Sequence, residues 1–137
     1  MKTKLFIVTT FLTFLSAQNS LFAQTNKDDN VSSTIVNAFN TGDVGKLADF
    51  INSNIELTIN NKNDIYSKKQ AISVISDFFK NNKTLSFKIL HTSNVNAVSF
   101  VIGELQTEKG VFRVTLNLKK NDNSVEILKL IIERTNG

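Results

Sequence analysis

The chain contains no cysteine, so it forms no disulfide and offers no thiol for the lipid attachment that would anchor an outer-membrane lipoprotein. It has one histidine, His91, and therefore no histidine pair for a metal site; no metal or other cofactor is expected. Proline is absent and glycine scarce, while 41% of residues are hydrophobic and 20% charged. That balance excludes a disordered chain and fits one folded domain. No run of basic residues exceeds two. Of the sixteen basic residues, Lys2 and Lys4 lie at the extreme N-terminus, leaving fourteen against twelve acidic ones from Gln24 onward, a net charge of +2. So small an excess without clustering argues against a nucleic-acid partner.

Long apolar runs are also missing. The longest stretch of mostly apolar residues, Leu5 to Leu15, has eleven residues. At about 1.5 Å rise it reaches roughly half of a ~30 Å bilayer core. Lys2 and Lys4 precede it, Ser16 and Ala17 follow, and Gln18, Asn19 and Ser20 interrupt it. This is the plan of a cleaved secretory signal. The expected organisation is a signal peptide over residues 1–23, cut after Ala17 or Ala23, a polar leader over 24–30, and one domain over 31–134. The mature protein is expected to be periplasmic or secreted, with no membrane anchor after cleavage.

Apolar periodicity orders the rest. Val31, Ile35 and Phe39 repeat every four residues, predicting a short helix with Asn30 as N-cap and Gly42 as its stop. Asp43 caps a second helix whose Val44, Leu47, Ala48 and Ile51 share a face. Ile55, Leu57 and Ile59 alternate with polar residues, predicting a strand that the run "NNKN" ends. In "DIYSKKQA", Ser67 and Gln70 have the spacing of a capping box. Ile65 stands ready for an apolar contact at the helix start. The helix from Lys68 to Asn81 carries a broad apolar face of Ala71, Ile72, Val74, Ile75, Phe78 and Phe79, which calls for a sheet to pack against.

Four strands follow, in antiparallel order. If "TEKG" closes the middle hairpin, Leu105 faces Phe112, Gly103 faces Val114 and Val101 faces Leu116 on one side, with Glu104 opposite Arg113 on the other as a register-pinning pair. For the last hairpin a three-residue loop over Asn121–Asn123 pairs Leu116 with Leu128, Val114 with Leu130 and Phe112 with Ile132. The inward positions are then all non-ionisable. The opposite face, half apolar, includes Phe100, Ile102, Glu104, Arg113, Ile127 and Ile131. These are the candidate interface residues of a homodimer formed through the outer sheet face.

The strings "IYSKKQA" at 65–71, "DFF" at 77–79, "IGELQTEKGVFRV" at 102–114 and "IIE" at 131–133 resemble a family of secreted Bacteroidetes proteins of unknown function, domain of unknown function family 4783. The element order over 31–134 is similar to the nuclear-transport-factor-two-like superfamily, which includes ketosteroid isomerase and SnoaL-like proteins. The resemblance implies an α+β, cystatin-like fold: a cone-shaped curved antiparallel sheet wrapped around a long helix, with two short N-terminal helices. It also implies a pocket at the open end and dimerisation through the outer sheet face.

An enzyme of this fold places a carboxylate base with a tyrosine, histidine or second acid in that pocket. The pocket candidates here are Tyr66, His91, Asp64 and Phe87, with no catalytic residue assigned. His91 is in phase with apolar Phe87 and Ile89, so packing competes with a role as base, and Ser67 is already explained by capping. The expected function is a non-enzymatic module that binds a small apolar ligand or works as a dimeric interaction domain. The alternative is an isomerase or hydrolase with its residues at the pocket mouth.

Overall fold

The computed structural model describes residues 31–136. The signal, the leader and Asn30 lie outside the described residues. Two short helices come first, α1 (Ser33–Thr41) and α2 (Val44–Ala48). Ser32 is the N-cap of α1, its side chain accepting from the Thr34 amide. Gly42, in the left-handed region at φ 64°, ends α1 and sends its N–H back to the Ala38 and Phe39 carbonyls, a conformation glycine adopts at no steric cost. Asp43 caps α2 by accepting from the Lys46 amide at 3.1 Å.

The chain then forms β1 (Ile51–Ile59) and β2 (Lys62–Ser67), joined at Asn60 and Asn61, both at positive φ. Asparagine tolerates that region better than most residues, so the pair makes a tight hairpin turn. β2 is not anticipated from the sequence: Lys62 and Asn63 of "NNKN" already belong to it. Pairing with β1 turns Ile65 to the side of Glu56, where it is 72% exposed. The expected apolar contact of Ile65 at the helix start is therefore absent.

α3 (Lys68–Asn81) occupies the expected span. Its capping box is present in full, Ser67 Oγ accepting from the Gln70 amide while Gln70 Oε1 accepts from the Ser67 amide. Ala71, Ile75, Phe78 and Phe79 are buried, with Ile72 and Val74 packed at the margin. Four strands follow: β3 (Thr84–Val95), β4 (Val98–Thr107), β5 (Gly110–Asn121) and β6 (Ser124–Arg134). The curved six-stranded sheet has the order β2-β1-β6-β5-β4-β3, antiparallel except where β1 runs parallel to β6. Helices cover one face only. α1 packs against β3 and α2, and α3 against β1, β2 and α2.

The middle hairpin has the expected register, with Leu105 opposite Phe112, Gly103 opposite Val114, Val101 opposite Leu116 and Glu104 opposite Arg113. The last hairpin does not. Its loop has two residues, Asn121 pairing with Ser124, and the register shifts once between Leu118 and Asn117. The extra residue restores the phase: Leu116 faces Leu130 and Val114 faces Ile132. Leu128 is therefore not an inward residue, whereas Ile127 faces Leu118 and is fully buried. Ile127 leaves the interface set for that reason.

A row of phenylalanine rings ties the layers together. Phe87 on β3 packs on Phe39 of α1 at 4.8 Å between centroids, Phe39 meets Phe79 of α3 edge-on at 6.1 Å, and Phe79 meets Phe78 at 5.5 Å. Phe78 then meets Phe112 of β5 at 5.0 Å, nearly perpendicular. Such edge-to-face pairs add about 0.5–1.5 kcal/mol each beyond area burial. Asn40 fastens α1 to the sheet edge, its Oδ1 accepting the Phe87 amide at 2.7 Å.

Gly103 makes room for the first ring. A Cβ there would come within 2.4 Å of two Phe87 ring atoms, Cε2 and Cζ. Gly103→Ala is expected to destabilise the protein by about 1–3 kcal/mol through overpacking. Most of that cost should disappear in a Phe87→Leu background, which lacks those two ring atoms. Urea unfolding of the four-member cycle measures this, and an unchanged cost would show that Phe87 is not the obstacle.

Candidate functional site

The four pocket candidates do not meet. Asp64 and Tyr66 lie on β2, one edge of the sheet, while Phe87 and His91 lie on β3, the other. Five strand spacings separate those edges, about 24 Å along the sheet. Tyr66 faces Ile55 and packs half-buried against the core next to α3. Asp64 is exposed, and its Oδ1 accepts the adjacent Ile65 amide at 2.8 Å. Phe87 is buried as one ring of the aromatic row.

His91 falls on the opposite side of the sheet from Phe87. Phe87 and Ile89 face Leu105 and Gly103, but the register shifts between Ile89 and His91, so that His91 pairs with Ile102. Ile102 belongs to the face turned away from the helices, and His91 is exposed on it. One inserted residue, Leu90, moves the histidine from an inner to an outer position. An isomerase or hydrolase site needs Tyr66, His91 or Asp64 within hydrogen-bond reach in one cavity; these positions do not supply it.

The interior is packed with apolar side chains. Buried strand residues facing the helices include Val101, Leu105, Val114, Leu116, Leu130 and Ile132, with the phenylalanine row between them and the helices. Four depressions on the described residues lie at the rims. Two, of about 520 and 470 Å³, flank the β5–β6 turn and share Lys120, Asn121 and Asp122; they open between polar side chains of the hairpin tips. Two smaller ones, about 270 and 400 Å³, flank Glu133 and Arg134. None of the four touches Tyr66, His91, Asp64 or Phe87. Among the described residues no group of three or more His, Asp or Glu could hold a metal ion, and no helix is long and apolar enough to cross a membrane.

The outer face is the other candidate. Cross-strand pairing places Phe100 beside Asn117, Ile102 beside Thr115 and Thr115 beside Ile131. Phe100 is 37% exposed, and Ile102 and Ile131 are half-buried. Val98 and Val95, opposite each other at the hairpin end, extend this apolar surface. Neither is in the set of six read from the sequence, although the alternation through Ile102 and Phe100 reaches Val98 if carried one step further.

Charges border the apolar strip. Glu104 and Arg113 are directly opposed as expected, but the ion pair Glu104 makes is with Lys88 on the edge strand, at 3.9 Å. Among the described residues Arg113 forms no ion pair. Lys129 Nζ lies 2.8 Å from Glu56 Oε1. Conversely, Arg134 is a structural clamp: NH1 donates to the Lys109 carbonyl at 2.6 Å while the guanidinium lies 4.9 Å over the Phe112 ring.

The family model for a domain of unknown function, DUF4783, matches residues 32–133. A solved DUF4783 family protein from Bacteroides uniformis ATCC 8492 is 31% identical, covering 79% of this chain and 100% of its own, with a TM-score of 0.73. Another, from Bacteroides ovatus ATCC 8483, is 29% identical over 78% of this chain and 97% of its own, at 0.74. An NTF-2 like protein of unknown function from Silicibacter pomeroyi DSS-3, 15% identical over 74% of this chain and 87% of its own at 0.55, shares the fold alone. Curated proteins give no match. The DUF4783 resemblance and the fold class read from the sequence are met, and export stays an expectation.

The hydrogen bond from Lys129 holds the Glu56 carboxyl below its ordinary value, with the lysine's charge and Asn63 adding in the same direction against some desolvation. A depressed carboxylate contributes stability above its unfolded value, about 4.3, and loses it as pH falls through the lower folded value. NMR titration should therefore place the Glu56 midpoint below that of an ordinary glutamate. Lys129→Gln should raise it, and an identical midpoint in both proteins would dissolve the pair.

Proposed function

The chain belongs to the DUF4783 family, and from its geometry we propose that it is a non-enzymatic interaction module, exported after signal cleavage, that works as a homodimer through the outer face of its sheet. The observation that carries this reading is the contrast between the two sheet faces. The inner face is consumed by packing against the phenylalanine row, which leaves little room there for a small apolar ligand. The outer face is unpartnered by any helix and mixes Phe100, Ile102 and Ile131 with polar neighbours.

Size supports the assignment. The four strands β3 to β6 are 10–12 residues long. At about 3.3 Å rise and 4.8 Å spacing they span roughly 600 Å² of sheet before side chains add relief. A standard interface uses about 800 Å² per partner. Composition agrees as well, since non-obligate interfaces are only about as apolar as ordinary surface, with an aromatic or aliphatic centre and a charged rim. Periplasmic or secreted location follows from the N-terminal pattern of residues 1–23.

Sedimentation velocity on the mature protein tests the reading. A dimer mass is expected, and Phe100→Lys or Ile131→Lys, each placing a charge at the centre of the face, should weaken association at least tenfold while leaving thermal unfolding nearly unchanged. A monomeric wild type, or variants that associate as tightly as wild type, would refute it.

A further inference from the structure

We infer that the second copy docks in one fixed orientation, related by a two-fold axis that runs along the strands between β5 and β6, and that four outer-face charges set it. The inference rests on the dimer reading above and deepens it. Arg113 and Lys119 lie on β5, with Glu133 and Glu126 directly opposite them on β6. Their strand neighbours Phe112, Val114 and Leu118, and Ile127 and Ile132, are buried toward the helices, so all four charged side chains project outward.

Among the described residues none of the four forms an ion pair, whereas the other charges of this face do, Lys88 with Glu104 and Lys129 with Glu56. The remaining charges therefore balance, two cations on one strand and two anions on the next. An acidic partner would leave the glutamates uncompensated, and a basic one the cations. A second copy of the same face supplies both signs.

The placement of these charges selects one of two arrangements. Arg113 and Lys119 are six residues apart, about 20 Å at ~3.3 Å rise, and β6 and β5 are the central pair of the sheet. Two aligned sheets packed face to face about a two-fold axis have two choices. An axis across the strands reverses height and keeps sides, setting Arg113 on Lys119 of the second copy and Glu133 on its Glu126. An axis along the strands keeps height and exchanges sides, laying β5 of each copy on β6 of the other. Arg113 then meets Glu133 of the second copy, and Lys119 its Glu126.

The first choice brings like charges together at all four contacts, the second opposite charges at all four. Aligned sheets cross at about 30°, which offsets the charged ends by about 5 Å, within reach of Arg, Lys and Glu side chains. Between those ends the same axis sets Ile131 of each copy on Thr115 of the other, because the two are cross-strand partners. The apolar centre and the charged ends thus agree on one axis.

Sedimentation velocity on wild type, Arg113→Glu, Glu133→Arg and an equimolar mixture of the two variants tests the arrangement. Each variant alone repeats one sign at both contacts of that end, so its dimer dissociation constant should rise at least about tenfold. In the mixture each copy supplies the sign that the other lacks, and a heterodimer close to wild type in affinity is expected. Lys119→Glu and Glu126→Lys repeat the test at the other end of the strands, which keeps it decisive if a variant of the first set fails to fold. A single reversal that associates as tightly as wild type, or more tightly as the crosswise axis requires, overturns the inference and leaves the dimer intact. So does a mixture no tighter than its two components. A monomeric wild type overturns the dimer reading and this one with it.

Discussion

Packing of phenylalanine rings, tilted at one contact and edge-to-face at three, holds this molecule together. The row from Phe87 through Phe39, Phe79 and Phe78 to Phe112 runs from an edge strand, through α1 and α3, to the centre of the sheet. Other features serve it. Gly103 omits a side chain where the Phe87 ring lies, Gly42 turns the chain close beside Phe79, and Arg134 covers the outer end over Phe112. Asn40 meets the amide of Phe87, so the ring at the exposed edge is fixed through its backbone as well. A buried amide left unpaired there would cost about 1–3 kcal/mol.

Filling the interior this way has a consequence for function. A curved sheet closed over a helix can leave a cavity or occupy it with side chains, and here the rings occupy it. The polar groups that would do chemistry are dispersed to opposite edges of the sheet or turned outward. What the chain presents instead is a sheet face with no helix upon it, apolar at Phe100, Ile102 and Ile131 and charged at its borders. Since one fold hosts many unrelated activities, the site has to be argued from these residues. From them we propose contact with another protein surface rather than capture of a small molecule.

Much of this was legible in the sequence, and the failures have physical causes. α3 was readable to the residue because its capping box and a broad apolar stripe agree. The β4–β5 register was readable because only one alignment puts Leu105, Gly103 and Val101 against apolar partners. β2 was not, since five of its six residues are exposed and no alternation marks it. The β6 register and the placement of His91 failed for one shared reason. A bulge inserts a residue without a composition signal, and each insertion reverses the side of everything beyond it. That reversal brought Ile127 into the core and carried His91 out to the surface. The outer face survived the error because Phe100, Ile102 and Ile131 lie on stretches whose phase was read correctly.

The claim on which the rest stands is that the space between sheet and helices is full. Backbone amide spectra of the mature protein recorded under increasing xenon pressure test it directly, because xenon enters dry apolar cavities and shifts the amides that line them. Small, non-saturating shifts spread over the surface are expected, with Phe39, Phe87, Leu105 and Phe112 unmoved. Saturable shifts concentrated on those four residues would reveal an open apolar cavity, and small-ligand binding would replace surface interaction as the function to pursue.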